Sequence, residues 1–254
     1  MSQDHAPLQS VWVGPRLSTM QRLCIESYLQ NGHPFHLYVY EDVAGVPAGA
    51  LIRDANEILP ASRIFQYFEH ASYAGFANFF RYKLLLESGG WYTDTDVVCL
   101  RPFDVDAEYV FAAQGIRTPR MVNINVMKVP RGSEIMRRAW DACQAMDTST
   151  LRWGVSGPEL TNRLVGECSL QRFVQPPEVF NPIDFPDWES CIDGAAHLDF
   201  GPVTRGVHLW NEMWRRSARD KDAVYPADCL YERLKWRYGV EPFNGPRPEE
   251  APRP

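Results

Sequence analysis

Asp94 and Asp96 are separated by one residue and follow Gly89-Gly90-Trp91-Tyr92-Thr93. On an extended chain residues i and i+2 face the same way, so the two carboxylates can converge on one point. Two converging carboxylates with no fixed cation beside them suit a hard divalent ion such as Mg²⁺ or Mn²⁺, which in turn neutralises a diphosphate. Taken alone, the pair also fits a solvated acidic turn. Asn78 and Arg81 lie three apart on a predicted helix from about Tyr73 to Glu87, so they share a face. The planar fork of Arg81 can bind a phosphate or a sugar hydroxyl, or can form an ordinary structural ion pair. Gly89-Gly90 ends the helix and sends the chain from this polar face directly into the acidic segment.

The elements that must hold these residues are legible in outline. Ser10–Val13 is a short apolar run ending at Gly14-Pro15, which predicts a buried strand and a turn. Ser18 caps a helix to about Gln30, with Gly32 past its end. Phe35–Tyr40 alternates as a second strand, and Trp91–Leu100 reads as strand, loop and strand. This alternation predicts an α/β fold with a mostly parallel sheet, helices on its faces and a ligand at the carboxyl ends of its strands. Further on, Glu108–Ala113, Asn123–Val129 and Val203–Leu209 suggest strands. Ser133–Cys143, Gly157–Val165 and Tyr225–Tyr238 suggest helices.

Composition narrows the class. The chain has 254 residues, 45% of them hydrophobic and 23% charged, which is the balance of a folded protein with a substantial core. A net charge of −6 argues against a nucleic-acid binder. No 18-residue apolar run or signal peptide is visible, so the expectation is a cytoplasmic protein. The six cysteines form no CxxC pair and read as buried free thiols. Residues 1–240 are expected to form one domain, and the Pro-rich residues 241–254 a disordered tail. Oligomeric state is not encoded in any pattern we recognise.

The stretch Ala77-Asn78-Phe-Phe-Arg81-Tyr-Lys-Leu-Leu-Leu-Glu-Ser-Gly89-Gly90-Trp-Tyr92-Thr-Asp94-Thr95-Asp96 resembles the retaining glycosyltransferases that carry the DXD sugar-binding region. These are glycosyltransferase family 32 and its relatives, including clostridial glucosylating toxins and α1,4-glycosyltransferases. Nearly every fixed position agrees over twenty residues. The departure is Asn78, where the family usually has an Asp thought to contact donor-sugar hydroxyls. Three flanking segments are also similar: Ser10–Gly14, Ser156–Thr161 and Gly206–Asn211.

The resemblance implies a GT-A type, Rossmann-like α/β/α sandwich. It implies transfer of a hexose or N-acetylhexosamine from a nucleotide-sugar, UDP by family frequency, with retention of configuration. Asp94, Asp96 and His208 would hold Mn²⁺ or Mg²⁺, and Arg81 would serve catalysis beside the two carboxylates. Trp12 would stack on the base, with Val13, Asn78, Arg81, Asp94 and Thr95 also on the donor. Gly157, Pro158, Glu159, Trp210 and Asn211 would lie toward the acceptor, a glycan or lipid-linked sugar. Asp184, Trp153 and Trp214 are further acceptor-side candidates, and Trp153, Trp210 and Trp214 are each equally suited to the core.

The implied role is bacterial surface polysaccharide synthesis at the inner face of the membrane. The basic Trp210–Arg216 stretch is the candidate for lipid contact. Two rivals stand beside this reading. One is a non-catalytic carbohydrate-binding protein on the same fold. The other is a haloacid-dehalogenase-like phosphatase, because Asp94-Thr95-Asp96-Val97-Val98 also fits that motif.

Overall fold

The computed structural model describes residues 5–118 and 120–242. The expected tail beyond Pro242 lies outside the described residues. In chain order the elements are β1 (Leu8–Trp12), α1 (Thr19–Gln30), β2 (Phe35–Val39), β3 (Leu51–Asp54), α2 (Ala74–Ser88), β4 (Gly90–Thr93) and β5 (Val97–Cys99). There follow β6 (Val110–Gln114), β7 (Met121–Val129), α3 (Glu134–Gln144), α4 (Leu160–Glu167), α5 (Pro177–Phe180), β8 (Gly206–His208), α6 (Asn211–Arg216) and α7 (Leu230–Arg237).

Six strands form one sheet in the order β3-β2-β1-β4-β7-β6. β1 pairs in parallel with both β2 and β4, and β2 with β3, whereas β7 runs antiparallel to β4 and β6. The sheet is therefore parallel on one side of β4 and antiparallel on the other. The chain winds outward from β1 to β3, then returns to place β4 on the other side of β1. Such a reversal opens a crevice at the carboxyl ends of the two central strands, where α/β sheets bind ligands. Trp12 ends β1 and Asp94 directly follows β4, so both stand at that crevice.

Alternate residues of the strands feed two cores. Val11, Tyr38, Tyr92 and Met127 pack with Phe76, Phe80 and Leu84 of α2, and with α3 and α4. Leu8, Leu37, Trp91 and Val126 face the other way, against Ile25 and Tyr28 of α1. A third cluster around Trp214, Tyr231 and Leu234 joins α6 and α7 to that side. This is the α/β sandwich with helices on both faces that the alternation predicts.

Helix α1 starts where expected: Ser18 is its N-cap, and its backbone N–H donates to Gln21 Oε1 at 3.3 Å. Helix α2 ends at Gly89, whose φ is 65°. A side chain there would also run into the Arg131 backbone nitrogen, so the position is restricted to glycine twice over.

Several boundaries depart from the sequence-based expectations. β3 is a fully exposed edge strand with no apolar alternation to announce it. β8 is only Gly206–His208, α7 begins at Leu230, and α4 begins at Leu160 after a separate turn over 155–159. The cysteines are all free, five buried and Cys168 partly so.

Candidate active site around Asp96

β5 and β8 form a two-stranded ribbon in which Val97 lies opposite His208. That register brings together two residues far apart in sequence. His208 Nε2 lies 3.1 Å from Asp96 Oδ2, with both side chains almost wholly buried. The same Oδ2 accepts the backbone N–H of Asn211 at 2.8 Å. Asp96 Oδ1 is also buried, yet it has no hydrogen-bond partner among the described residues. A buried carboxylate oxygen left open is costly unless a proton or cation completes it.

The turn that delivers Asn211 is strained. Trp210 has φ 58° and ψ 51°, a left-handed conformation that costs a non-glycine residue about 1–2 kcal/mol. Packing compensates: the Trp210 indole N–H donates to Ile183 O at 2.9 Å, and its ring centroid lies 3.9 Å from that of His208. Trp210 therefore backs the His208 ring rather than offering an open acceptor surface. Asn211 Oδ1 accepts from Lys221 Nζ at 2.7 Å.

Asp94 has a different surrounding. Its Oδ1 accepts from Arg81 Nη2, and its side chain remains 30% exposed. Arg81 is almost fully buried. Its Nη1 donates to Asn78 Oδ1 at 3.0 Å, its guanidinium lies 4.5 Å from the Tyr92 ring centroid, and its Nε has no partner among the described residues. Of the three expected metal ligands, the structure thus brings Asp96 and His208 together and turns Asp94 toward Arg81. Among the described residues no three His, Cys, Asp or Glu side chains are gathered around one point.

The electrostatics separate the two carboxylates. Burial raises the Asp94 carboxyl to about 6, with Arg81 opposing and the Asp96 charge adding to the rise. Burial acts on Asp96 as well, but His208 and the Asn211 N–H outweigh it and hold Asp96 below the usual carboxylate range.

Asn78 is buried in a structural relay. It accepts from Arg81, and its Nδ2 donates to Ser156 Oγ at 3.2 Å. Ser156 in turn meets the Tyr67 hydroxyl at 3.1 Å, while its carbonyl accepts from the Tyr82 hydroxyl at 2.9 Å. An Asn suits this place, since it must both accept from Arg81 and donate to Ser156. The neighbouring Gly157 has no room for a side chain: a Cβ would lie 2.9 Å from Asn78 Nδ2 and 3.3 Å from Ile124 Cδ1. Gly157→Ala is therefore expected to cost about 1–3 kcal/mol. Gly201→Ala, where nothing lies within 4 Å, should leave the thermal midpoint unchanged.

The remaining candidates spread out. Trp12 is partly buried, and its buried Nε1 has no partner among the described residues. Val13 and Thr95 are partly buried near the ends of β1 and β4, Pro158 is partly buried, and Glu159 is exposed. Trp214 is a core residue, with its indole N–H on Leu209 O at 2.7 Å. Trp153 is 36% exposed and carries Arg216 4.6 Å from its ring centroid. Arg215 and Arg216, in the stretch suggested for lipid contact, both pair with Glu212 at 2.7 and 2.8 Å.

Asp184 is not free for an acceptor. Its carboxylate accepts the backbone N–H groups of Gly115, Ile116, Arg117 and Thr118 at 2.7–3.2 Å. Burial would raise this carboxyl, but the four N–H bonds outweigh it and hold it below its ordinary value. A lowered carboxyl stabilises the fold above its unfolded value near 4 and loses that contribution as pH falls through the folded one. Asp184→Asn should cost about 2 kcal/mol at pH 7. Thermal melts of the two proteins should draw together as pH falls through the folded carboxyl's lowered value.

Residues 20–112 match the family model described as "Glycosyltransferase sugar-binding region containing DXD motif". That span contains Asn78, Arg81, Asp94 and Asp96. The chain carries this glycosyltransferase sugar-binding region. Among curated relatives it is similar to the lactosylceramide 4-alpha-galactosyltransferases of Mus musculus and Rattus norvegicus. Each is 25% identical over 146 residues, covering 52% of this chain. The chain spans only 39% of the length of those relatives.

Similar solved structures include PaToxG glycosyltransferase (TM-score 0.46, 16% identity, 63% of this chain and 67% of that one). Another is the glycosyltransferase GlyE of Streptococcus pneumoniae TIGR4 (TM-score 0.45, 13% identity, 94% of this chain and 62% of that one). The sugar-binding region ends before Ser156, Asn181, His208 and Asn211, which the fold adds to it from outside. Of these, Asn181 gave no signal in the sequence. The family match favours the sugar-transfer reading of the motif over the phosphatase one.

Proposed function

We propose that this chain is a divalent-metal-dependent retaining glycosyltransferase of the GT-A type. It takes a hexose or N-acetylhexosamine from a nucleotide-sugar, a UDP-sugar by preference, and passes it to a glycan or lipid-linked acceptor. The observation that carries this reading is the buried, half-satisfied Asp96 beside His208, inside a DXD sugar-binding region and at the crevice where the strand order reverses. The open Oδ1 of Asp96 and the adjacent imidazole are a hard oxygen and a borderline nitrogen, a donor set that fits Mn²⁺ or Mg²⁺. Asp96 and His208 would hold the ion, and Asp94 would have to leave its Arg81 partner to join them as the third ligand.

When bound, the ion supplies Lewis-acid neutralisation of the nucleoside diphosphate. The chain's own residues do the rest. Arg81 fixes the Asp94 carboxylate and places a permanent positive charge under it. Trp12 offers a flat ring to the base at the end of β1. Trp210 and its turn keep the Asn211 N–H on Asp96.

A lipid-linked acceptor agrees with the glycolipid named for the mouse and rat relatives. Among the described residues no helix is long and apolar enough to cross a membrane. The reading places the chain in the cytoplasm, at the inner face of a bacterial membrane, in surface polysaccharide synthesis. The reading takes the residues to about 240 as one domain.

Calorimetry with UDP and GDP, with and without Mn²⁺, tests the reading. UDP should bind only with the ion, and Trp12→Ala should weaken it about tenfold through lost base stacking. Absence of Mn²⁺-dependent binding by either nucleotide would overturn it.

A further inference from the structure

Behind the Asp96–His208 pair lies a buried amide relay. Asn181 and Asn125 are both fully buried. Asn181 Nδ2 donates to Ala113 O at 2.8 Å. A carbonyl can only accept, so the Asn181 amide cannot be reversed, and its Oδ1 points away from Ala113. That Oδ1 accepts from Asn125 Nδ2 at 2.8 Å and lies 3.0 Å from His208 Nδ1. An oxygen facing Nδ1 requires the hydrogen to be on Nδ1. Asn125 also ties this relay to the other aspartate, because its backbone carbonyl accepts the Asp94 N–H at 2.8 Å.

We infer that Asn181 is a positioning residue that keeps a hydrogen on His208 Nδ1, so that Nε2, held 3.1 Å from Asp96 Oδ2, is the ring nitrogen a divalent cation would take in place of that hydrogen bond. The inference rests on the proposed cation site, and adds to it the residue that prepares one ligand. A ring free to flip could present Nδ1 to the ion instead of Nε2. The chain Ala113 O, Asn181, His208 removes that choice before any ion arrives. Trp210, packed against the ring with 3.9 Å between centroids, restricts its rotation in the same sense.

Nitrogen-15 NMR of the histidine rings in the full chain, first without metal, tests this directly. The His208 signals are assigned by their loss in His208→Gln. The wild type should show a proton on Nδ1. Asn181→Asp, which keeps an acceptor, should preserve it, and Asn181→Leu should lose it. Calorimetric Mn²⁺ affinity should fall about 10–100-fold in Asn181→Leu and much less in Asn181→Asp.

A wild-type His208 carrying its hydrogen on Nε2 alone would overturn the inference, whether or not the leucine variant folds. So would a folded Asn181→Leu with unchanged tautomer and Mn²⁺ affinity. A wild type with the Nδ1 proton but no Mn²⁺ binding would support the tautomer and overturn the cation site, which keeps the two failures distinct.

Discussion

Replacing Asp96 with asparagine should lower metal-dependent turnover of the nucleotide-sugar by about 10²–10³-fold, with a loss of folded stability of only about 1–2 kcal/mol from the His208 contact. The asymmetry follows from the two sides of the carboxylate. Oδ2 accepts the Asn211 N–H at 2.8 Å, a bond that an amide oxygen can keep. Oδ1 is buried without a partner among the described residues, and there the negative charge matters. Asparagine keeps the shape and removes the charge that a cation needs. Steady-state release of nucleotide, measured beside a thermal melt, separates the two effects. Equal turnover by Asp96→Asn and wild type would remove Asp96 from the mechanism.

Arg81→Ala should behave in the opposite way and damage the fold itself. Arg81 is 1% exposed, lies against the Tyr92 ring, and holds both Asn78 Oδ1 and the Asp94 carboxylate. Truncation leaves Asp94 without its cation, Asn78 without its donor and a cavity beneath Tyr92. Because Asp94 is 30% exposed, water recovers part of its loss, so a cost of about 3 kcal/mol is expected. For a domain of this size that lowers the thermal midpoint by roughly 10 °C. Arg81→Lys keeps the charge but not the fork that spans Asn78 and Asp94 together, so it should recover only about half the loss. Full recovery by lysine would mean that charge alone matters at this position.

How much of this was legible in the sequence depends on the kind of signal. The Gly89-Gly90 stop and the shared face of Asn78 and Arg81 are local, and the structure keeps them; the Asp94/Asp96 spacing is local too, but the turn over these residues sends one carboxylate to Arg81 and the other to His208 instead of converging them. Ser18 announced its helix because a cap is a local device too. The Asp96–His208 meeting was visible only through resemblance, since it depends on ribbon pairing between residues 112 positions apart. Asn181 was illegible: a buried asparagine after a four-residue helix has no periodicity, and its importance lies in what it faces.

Asp184 and Trp210 were legible as residue types but not as roles. Each is already committed, Asp184 to four backbone N–H groups and Trp210 to Ile183 and the His208 ring. Asn78 shows how substitution of a family position reads differently in place. The lost negative charge leaves an amide that joins Arg81 to Ser156, a double role a carboxylate does not fill. The edge strand β3 was missed because both its faces are exposed, so no hydrophobic alternation marks it.

The central claim is that Asp96 and its surroundings form a metal-dependent sugar-transfer centre. The most direct test is nucleotide release from a panel of UDP- and GDP-sugars by the full chain, with Mn²⁺ and with chelator, beside Asp96→Asn. The predicted result is release from one class of donor, only with the ion, and lost in the variant. Release that persists in chelator, or that Asp96→Asn sustains at the wild-type rate, would contradict it.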